Sequence, residues 1–122
     1  MAADAPADIG EMDASQLNHF FGTGEVSPVD AAKAALDRIE RFNPIVNAFA
    51  YVTPDIALAA ARQSEQRWRR GEPLGPLDGI PATIKELTSV IGIPTRKGSA
   101  LGDTYPAEAE PLAVQRLSKR VV

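Results

Sequence analysis

The residues with the most chemical promise lie in one stretch, Gly75-Pro-Leu-Asp-Gly-Ile-Pro-Ala-Thr-Ile-Lys-Glu-Leu87, with Gly92-Ile-Pro-Thr-Arg-Lys-Gly-Ser99 close behind. Lys85 is the group there that could move a proton. An ordinary lysine is protonated at pH 7 and is no base, but burial among apolar side chains disfavours the charged amine. Ile80, Ala82, Ile84 and Leu87 could supply such a setting. A base tuned near the working pH can then activate a hydroxyl nucleophile. On strand periodicity alone, the expected Lys85 is a solvent-facing strand lysine paired with Glu86 or another acid, not a base.

Other chemistry is thin. The chain has no Cys, which removes disulfides, thiolate metal ligands and a thiol nucleophile together. His19, the single histidine, has no carboxylate at useful spacing, so a surface or packing role is expected over a general base. One histidine and no cysteine leave no metal constellation, and no metal or cofactor is expected. Ser99 follows Gly98, where a backbone turn accounts for the pair better than a nucleophile. Arg67, Arg69 and Arg70 end a helix pattern, where cations complement the dipole; an anion site is the alternative. Trp68 among them is expected to pack. The Gly and Pro residues of 71–79 precede no Gly-Lys-Ser/Thr, so they form no phosphate loop.

The elements that must hold these groups follow from punctuation and period. Residues 1–30 carry Asp4, Asp8, Glu11, Asp13, Glu25 and Asp30 with no Lys or Arg. The expectation is an acidic, solvated arm over 1–26, holding a short helix after Asp13 that Gly22 stops. Ser27-Pro28-Val29-Asp30 opens a helix with an N-cap, a proline at the first position and an acid in the first turn. Val29, Ala32, Leu36 and Ile39 give it one apolar stripe, and Asn43-Pro44 is expected to end it. Residues 45–52 suit an extended segment or strand. Thr53-Pro54-Asp55 opens a second helix, from about 54 to 70, closed by Gly71. A loop over 72–79 leads to Ile80, Ala82 and Ile84, which alternate with Pro81, Thr83 and Lys85 as in a strand. Residues 88–102 predict loop with one short strand at most, and a last helix runs from about 110 to 120. Two strands without a hairpin make no independent sheet. The inventory therefore predicts the opening of a larger α/β fold.

The two chemical segments resemble the amidase signature family of serine hydrolases. There, a Gly-Pro-Leu-x-Gly-(Ile/Val)-Pro-x-x-x-Lys-Asp segment carries a catalytic lysine, and a Gly-x-Pro-Thr-x-x-Gly-Ser segment follows. Ser27-Pro-Val-Asp, Arg38-Ile-Glu-Arg-Phe-Asn-Pro-Ile-Val-Asn-Ala-Phe49 and Ala113-Val-Gln-Arg-Leu117 match further family patterns in order, so the likeness covers about 13–119. The resemblance implies the N-terminal helices and first strands of the family's mixed-sheet α/β fold, incomplete in this chain, over 27–122. It implies amide hydrolysis by a Ser–cis-Ser–Lys triad in which Lys85 is the base. A neutral lysine acts through a bridging serine on a second serine, which attacks the amide carbonyl; water then hydrolyses the acyl-enzyme. Glu86 stands where the family usually has Asp. The tandem serines of the family are missing: Ser15, Ser27, Ser64, Ser89, Ser99 and Ser118 are all isolated. The expectation is a truncated amidase, inactive by itself, with a small-molecule amide substrate once completed. The amidase component of a tRNA-dependent amidotransferase is a neighbouring reading, and a non-catalytic interaction module is the alternative from outside enzymology.

Bulk properties fit a single small domain of 122 residues with an ordinary apolar share of 44%. A net charge of −3 argues against a nucleic-acid partner. No run approaches the roughly 18 apolar residues of a membrane span, and the acidic start is unlike a signal peptide. A cytoplasmic protein without a membrane partner is the expectation. Apolar stripes left without their sheet would favour self-association.

Overall fold

The computed structural model describes residues 8–122. They form two compact units, one running up to Pro81 and including Arg120–Val122, the other Ala82–Lys119.

The first unit is built from three helices: α1 (Ala14–Thr23), α2 (Pro28–Val46) and α3 (Pro54–Arg69), with a 3-10 turn at Ile9–Glu11 ahead of them. Helix α1 begins in a capping box. The Asp13 carboxylate accepts from the Gln16 amide at 2.8 Å, and the Gln16 side chain accepts from the Asp13 amide at 2.9 Å. Leu17, Phe20 and Phe21 recur at helical spacing and are buried with Val26, Ala31 and Ile80. Each such side chain contributes about 1.5–3 kcal/mol by leaving water. Within the expected solvated arm over 1–26, the apolar side chains Leu17, Phe20, Phe21 and Val26 are core, while 13–16, His19 and 22–25 are exposed. The part of that arm over 1–7 lies outside the described residues. The helix also passes Gly22 and stops at Gly24, whose left-handed φ of 78° lets its amide reach the Phe20 carbonyl.

Helix α2 opens as the sequence predicts, with Ser27 and Asp30 in a reciprocal capping box and Pro28 at its first position. Its end differs. The helix continues through Pro44 to Val46 and closes on Asn47, which is left-handed at φ 49° and donates its amide to the Asn43 carbonyl at 2.7 Å. Pro44 costs the helix one donor, but the last turn is held from outside. The Asn43 side chain accepts from the Phe49 amide at 2.8 Å and donates to the Phe49 carbonyl at 3.1 Å. Residues 45 and 46 thus belong to the helix, and no strand follows them. Helix α3 matches its expected span, although Thr53 makes no side-chain cap bond. Helices α2 and α3 pack on each other, and Ala61 and Ser64 of α3 are buried.

The second unit holds one helix, α4 (Leu112–Ser118), shorter than the expected 110–120, with Pro111 as its N-cap residue and Val114 buried. Among the described residues there is no strand. The alternating stretch from Ile80 to Leu87 makes only an isolated bridge, Ile80 to Val121, and short bridges join Ile91 to Ala107 and Pro94 to Pro106. The expected strand is absent as a ladder because its pairing with a described segment does not extend beyond Ile80, and Pro81 has no amide to donate. No helix among the described residues is long and apolar enough to cross a membrane.

Candidate active site

Lys85 belongs to the second unit and its side chain is exposed. It makes no hydrogen bond or ion pair among the described residues. Its backbone is held: the Thr88 amide donates to the Lys85 carbonyl at 2.8 Å, closing the turn that follows. Ile84 is half-buried, while Ala82 and Leu87 are exposed, so the apolar setting expected around Lys85 is not supplied within this unit.

Glu86 is not the partner of Lys85. Its carboxylate accepts the backbone amides of three successive residues, Arg96, Lys97 (2.9 Å) and Gly98 (2.8 Å). Lys97 and Gly98 are both left-handed, at φ 53° and 68°. Successive amides turned inward in this way form a concave anion cradle, and charge-assisted bonds of this type are stronger than neutral ones. The carboxylate thus ties the Lys85 segment to the loop of the second motif. This link spans 10 to 12 residues through a loop, and no periodicity in the sequence signals it.

The first unit builds its own polar centre. Asp78 is 1% exposed. Arg67 of α3 meets it with both arms of the guanidinium, Nε to Oδ2 at 2.8 Å and Nη2 to Oδ1 at 2.6 Å. The Leu74 amide donates to the same carboxylate at 2.9 Å, and the Trp68 indole donates to the Asp78 carbonyl at 2.9 Å. Burial pushes the Asp78 carboxyl up, but the Arg67 hydrogen bonds and the Leu74 amide together outweigh it and hold the group below the usual carboxylate range. The next residue has to be glycine. Gly79 is left-handed at φ 88°, and a Cβ there would stand 2.5 Å from Ser64 Oγ and 2.8 Å from Pro28.

The remaining expectations resolve in the same unit. Arg67, Arg69 and Arg70 each take an internal carboxylate, from Asp78, Glu65 (3.2 Å) and Glu72 (3.3 Å), so the cluster is not an open anion site. Trp68 packs edge-on to Phe21 with ring centres 5.9 Å apart. His19 is exposed and touches only the edge of Phe20 among aromatic rings. In the second unit, Ser99 is exposed, and its Oγ accepts from the Leu101 amide at 3.1 Å, which is the turn role expected for it. A shallow cavity of about 610 Å³ lies along α2 and the start of α3, lined by Leu36, Asp37, Ile39, Glu40, Asn43 and Val52 among others; no serine, threonine or lysine lines it.

Sequence and structure comparisons agree on one family. Residues 30–120 match the amidase family, and the chain belongs to it. Among its relatives is a glutamyl-tRNA(Gln) amidotransferase subunit from Chloroflexus aurantiacus, 39% identical over 97 residues, which are 80% of this chain and 20% of that protein. A solved inhibitor-bound assembly, described as a vestigial protein complex that reveals the origins of an s-triazine catabolic enzyme, superposes with a TM-score of 0.84 at 34% identity, covering 91% of this chain and 25% of that one. A crystal structure of an amidase gives 0.77 at 35% identity, covering 89% and 25%. Those neighbours are α/β enzymes, and this chain matches a helical portion of them. It spans about a fifth of the length of the curated relatives it matches.

Proposed function

We propose that these residues form the N-terminal part of an amide-bond hydrolase in which Lys85 is the base of a Ser–cis-Ser–Lys triad. The observation that carries this reading is the family match over 30–120, which spans Lys85, Glu86 and the following Gly92–Ser99 motif in family order. The two serines of the triad are not among the 122 residues, nor is the loop that would bind the oxyanion. In the working site, a neutral Lys85 takes the proton of the nucleophilic serine through the bridging serine. The same proton returns to the departing amine, and water then releases the acid. The apolar surroundings that keep such a lysine neutral would come from the rest of the sheet. The substrate is a small carboxamide, and the 122 residues alone are inactive.

The test uses the product of the native reading frame that carries this sequence, defined by intact mass and assayed for release of ammonia or amine. The expected result is amide hydrolysis that Lys85→Ala lowers about 10³-fold or more in kcat, in line with loss of a general base acting on a nucleophile. A product that hydrolyses no amide, or one that is indifferent to Lys85→Ala, overturns the reading.

The similarity to the amidotransferase relatives favours a second reading, in which the amide is that of glutamine and the ammonia passes to a partner's reaction. Glutamine hydrolysis that requires a co-expressed partner separates it from a free-standing amidase.

A further inference from the structure

The interaction between Glu86 and the Arg96–Gly98 amides goes beyond family membership, and the hydrolase reading makes no use of it. We infer that Glu86 is a positioning residue that locks the Lys85 segment and the 95–99 loop into one rigid piece, so that the Lys85 backbone is presented in a single orientation. The inference rests on the proposed role of Lys85 for its catalytic consequence, but its structural half stands on this chain alone.

Three observations support it. First, the Glu86 carboxylate directs both oxygens to backbone, Oε1 to Arg96 and Lys97 and Oε2 to Gly98, leaving it committed to the loop and not to a neighbouring cation. Second, the loop adopts a conformation that a free chain avoids: Lys97 at φ 53° is one of two non-glycine residues with positive φ among the described residues. Left-handed lysine is disfavoured by its Cβ, so something must hold it. An anion at the centre of the cradle does so, because it gathers amides that would otherwise point apart. Third, Lys85 and Glu86 share a turn that the Thr88 amide closes by donating to the Lys85 carbonyl. A lysine side chain has a flexible four-carbon stem, so the part a protein can fix most readily is the backbone from which it springs. The clamp at Glu86 and the turn closed by Thr88 both hold that backbone where it leaves Lys85. Geometry of this kind matters to a base, since a shift of about 1 Å in a catalytic group costs about 10²-fold in rate.

The test has two arms. In the 122-residue chain, amide hydrogen exchange at Lys97 and Gly98 is compared among wild type, Glu86→Ala and Glu86→Asp, with helix content as the control for folding. The expected result is exchange about tenfold faster in Glu86→Ala, with Glu86→Asp within about twofold of wild type, since the shorter carboxylate still reaches the cradle. Equal exchange in wild type and Glu86→Ala overturns the clamp. In the native reading-frame product, Glu86→Ala is expected to lower kcat about 10²-fold with KM within about threefold, and Glu86→Asp to restore it. An active wild type that Glu86→Ala leaves unchanged in kcat overturns the positioning role. A product whose wild type is inactive overturns the hydrolase reading instead, and the exchange arm still decides the clamp.

Discussion

Asp78 holds a negative charge where almost no water reaches it, and it does so because Arg67 grips both of its oxygens. Removing one partner of such a pair strands the other, at a cost of about 3–5 kcal/mol when both are buried. Arg67 keeps 22% of its side chain in solvent, so the lower end applies. We expect Asp78→Ala to lower the stability of the first unit by about 3 kcal/mol, read by urea denaturation. The pair also sets an acid dependence. The folded carboxyl titrates below its unfolded value, so its contribution is complete above the ordinary aspartate pKa of about 3.9 and is lost as pH falls through the lower folded value. Asp78→Asn should therefore flatten the stability–pH curve on its acid side and leave the neutral side level. None of this pairing is legible from spacing. By sequence, Arg67 reads as a dipole-complementing cation and Asp78 as one polar residue in a Gly/Pro loop; only the fold brings α3 and that loop together.

At the scale of elements, the rules that hold are local ones. Ser27-Pro28-Val29-Asp30 carries its own start signal, and α2 begins where that signal says. Gly71, left-handed at φ 71°, follows the end of α3 as expected. The rules that fail are those a tertiary contact can override. Pro44 should stop α2, yet Asn43 folds its side chain onto the Phe49 backbone and keeps the last turn in place. Asn43→Ala should release that turn. We expect a loss of about 1–2 kcal/mol, with amide exchange rising at Val46 and Asn47 and unchanged in the first half of the helix. The predicted strand through Ile84 fails for the opposite reason. Alternation says which faces a segment could present, but a ladder needs a neighbour along its length, and the described residues offer one only at Ile80.

For the molecule as a whole, the buried apolar set is small and the exposed one large. Ile45, Val46 and Ile56 of the first unit are 79%, 63% and 67% exposed, and Leu101 of the second is 97% exposed. Surfaces of this kind belong against something. We expect the 122-residue chain to self-associate, with a sedimentation coefficient that rises with concentration. Ile45→Ser combined with Ile56→Ser should weaken that association at least about tenfold, since each side chain is worth about 1.5–3 kcal/mol when covered. A monomer at all concentrations would show that these side chains rest in water without consequence.

Trp68 has one further use. It is the single tryptophan of the chain, and its indole N–H is bonded to the carbonyl of Asp78 while its ring lies against Phe21. The molecule therefore carries a built-in optical gauge of the contact between α3 and the 72–80 loop. If the loop lifts from the helix, the indole exchanges a carbonyl and a phenyl edge for water, and its emission should move to the red without any label attached. Opening of this loop by acid, denaturant or a docking partner can thus be followed in the unmodified chain, on whatever timescale the fluorimeter allows.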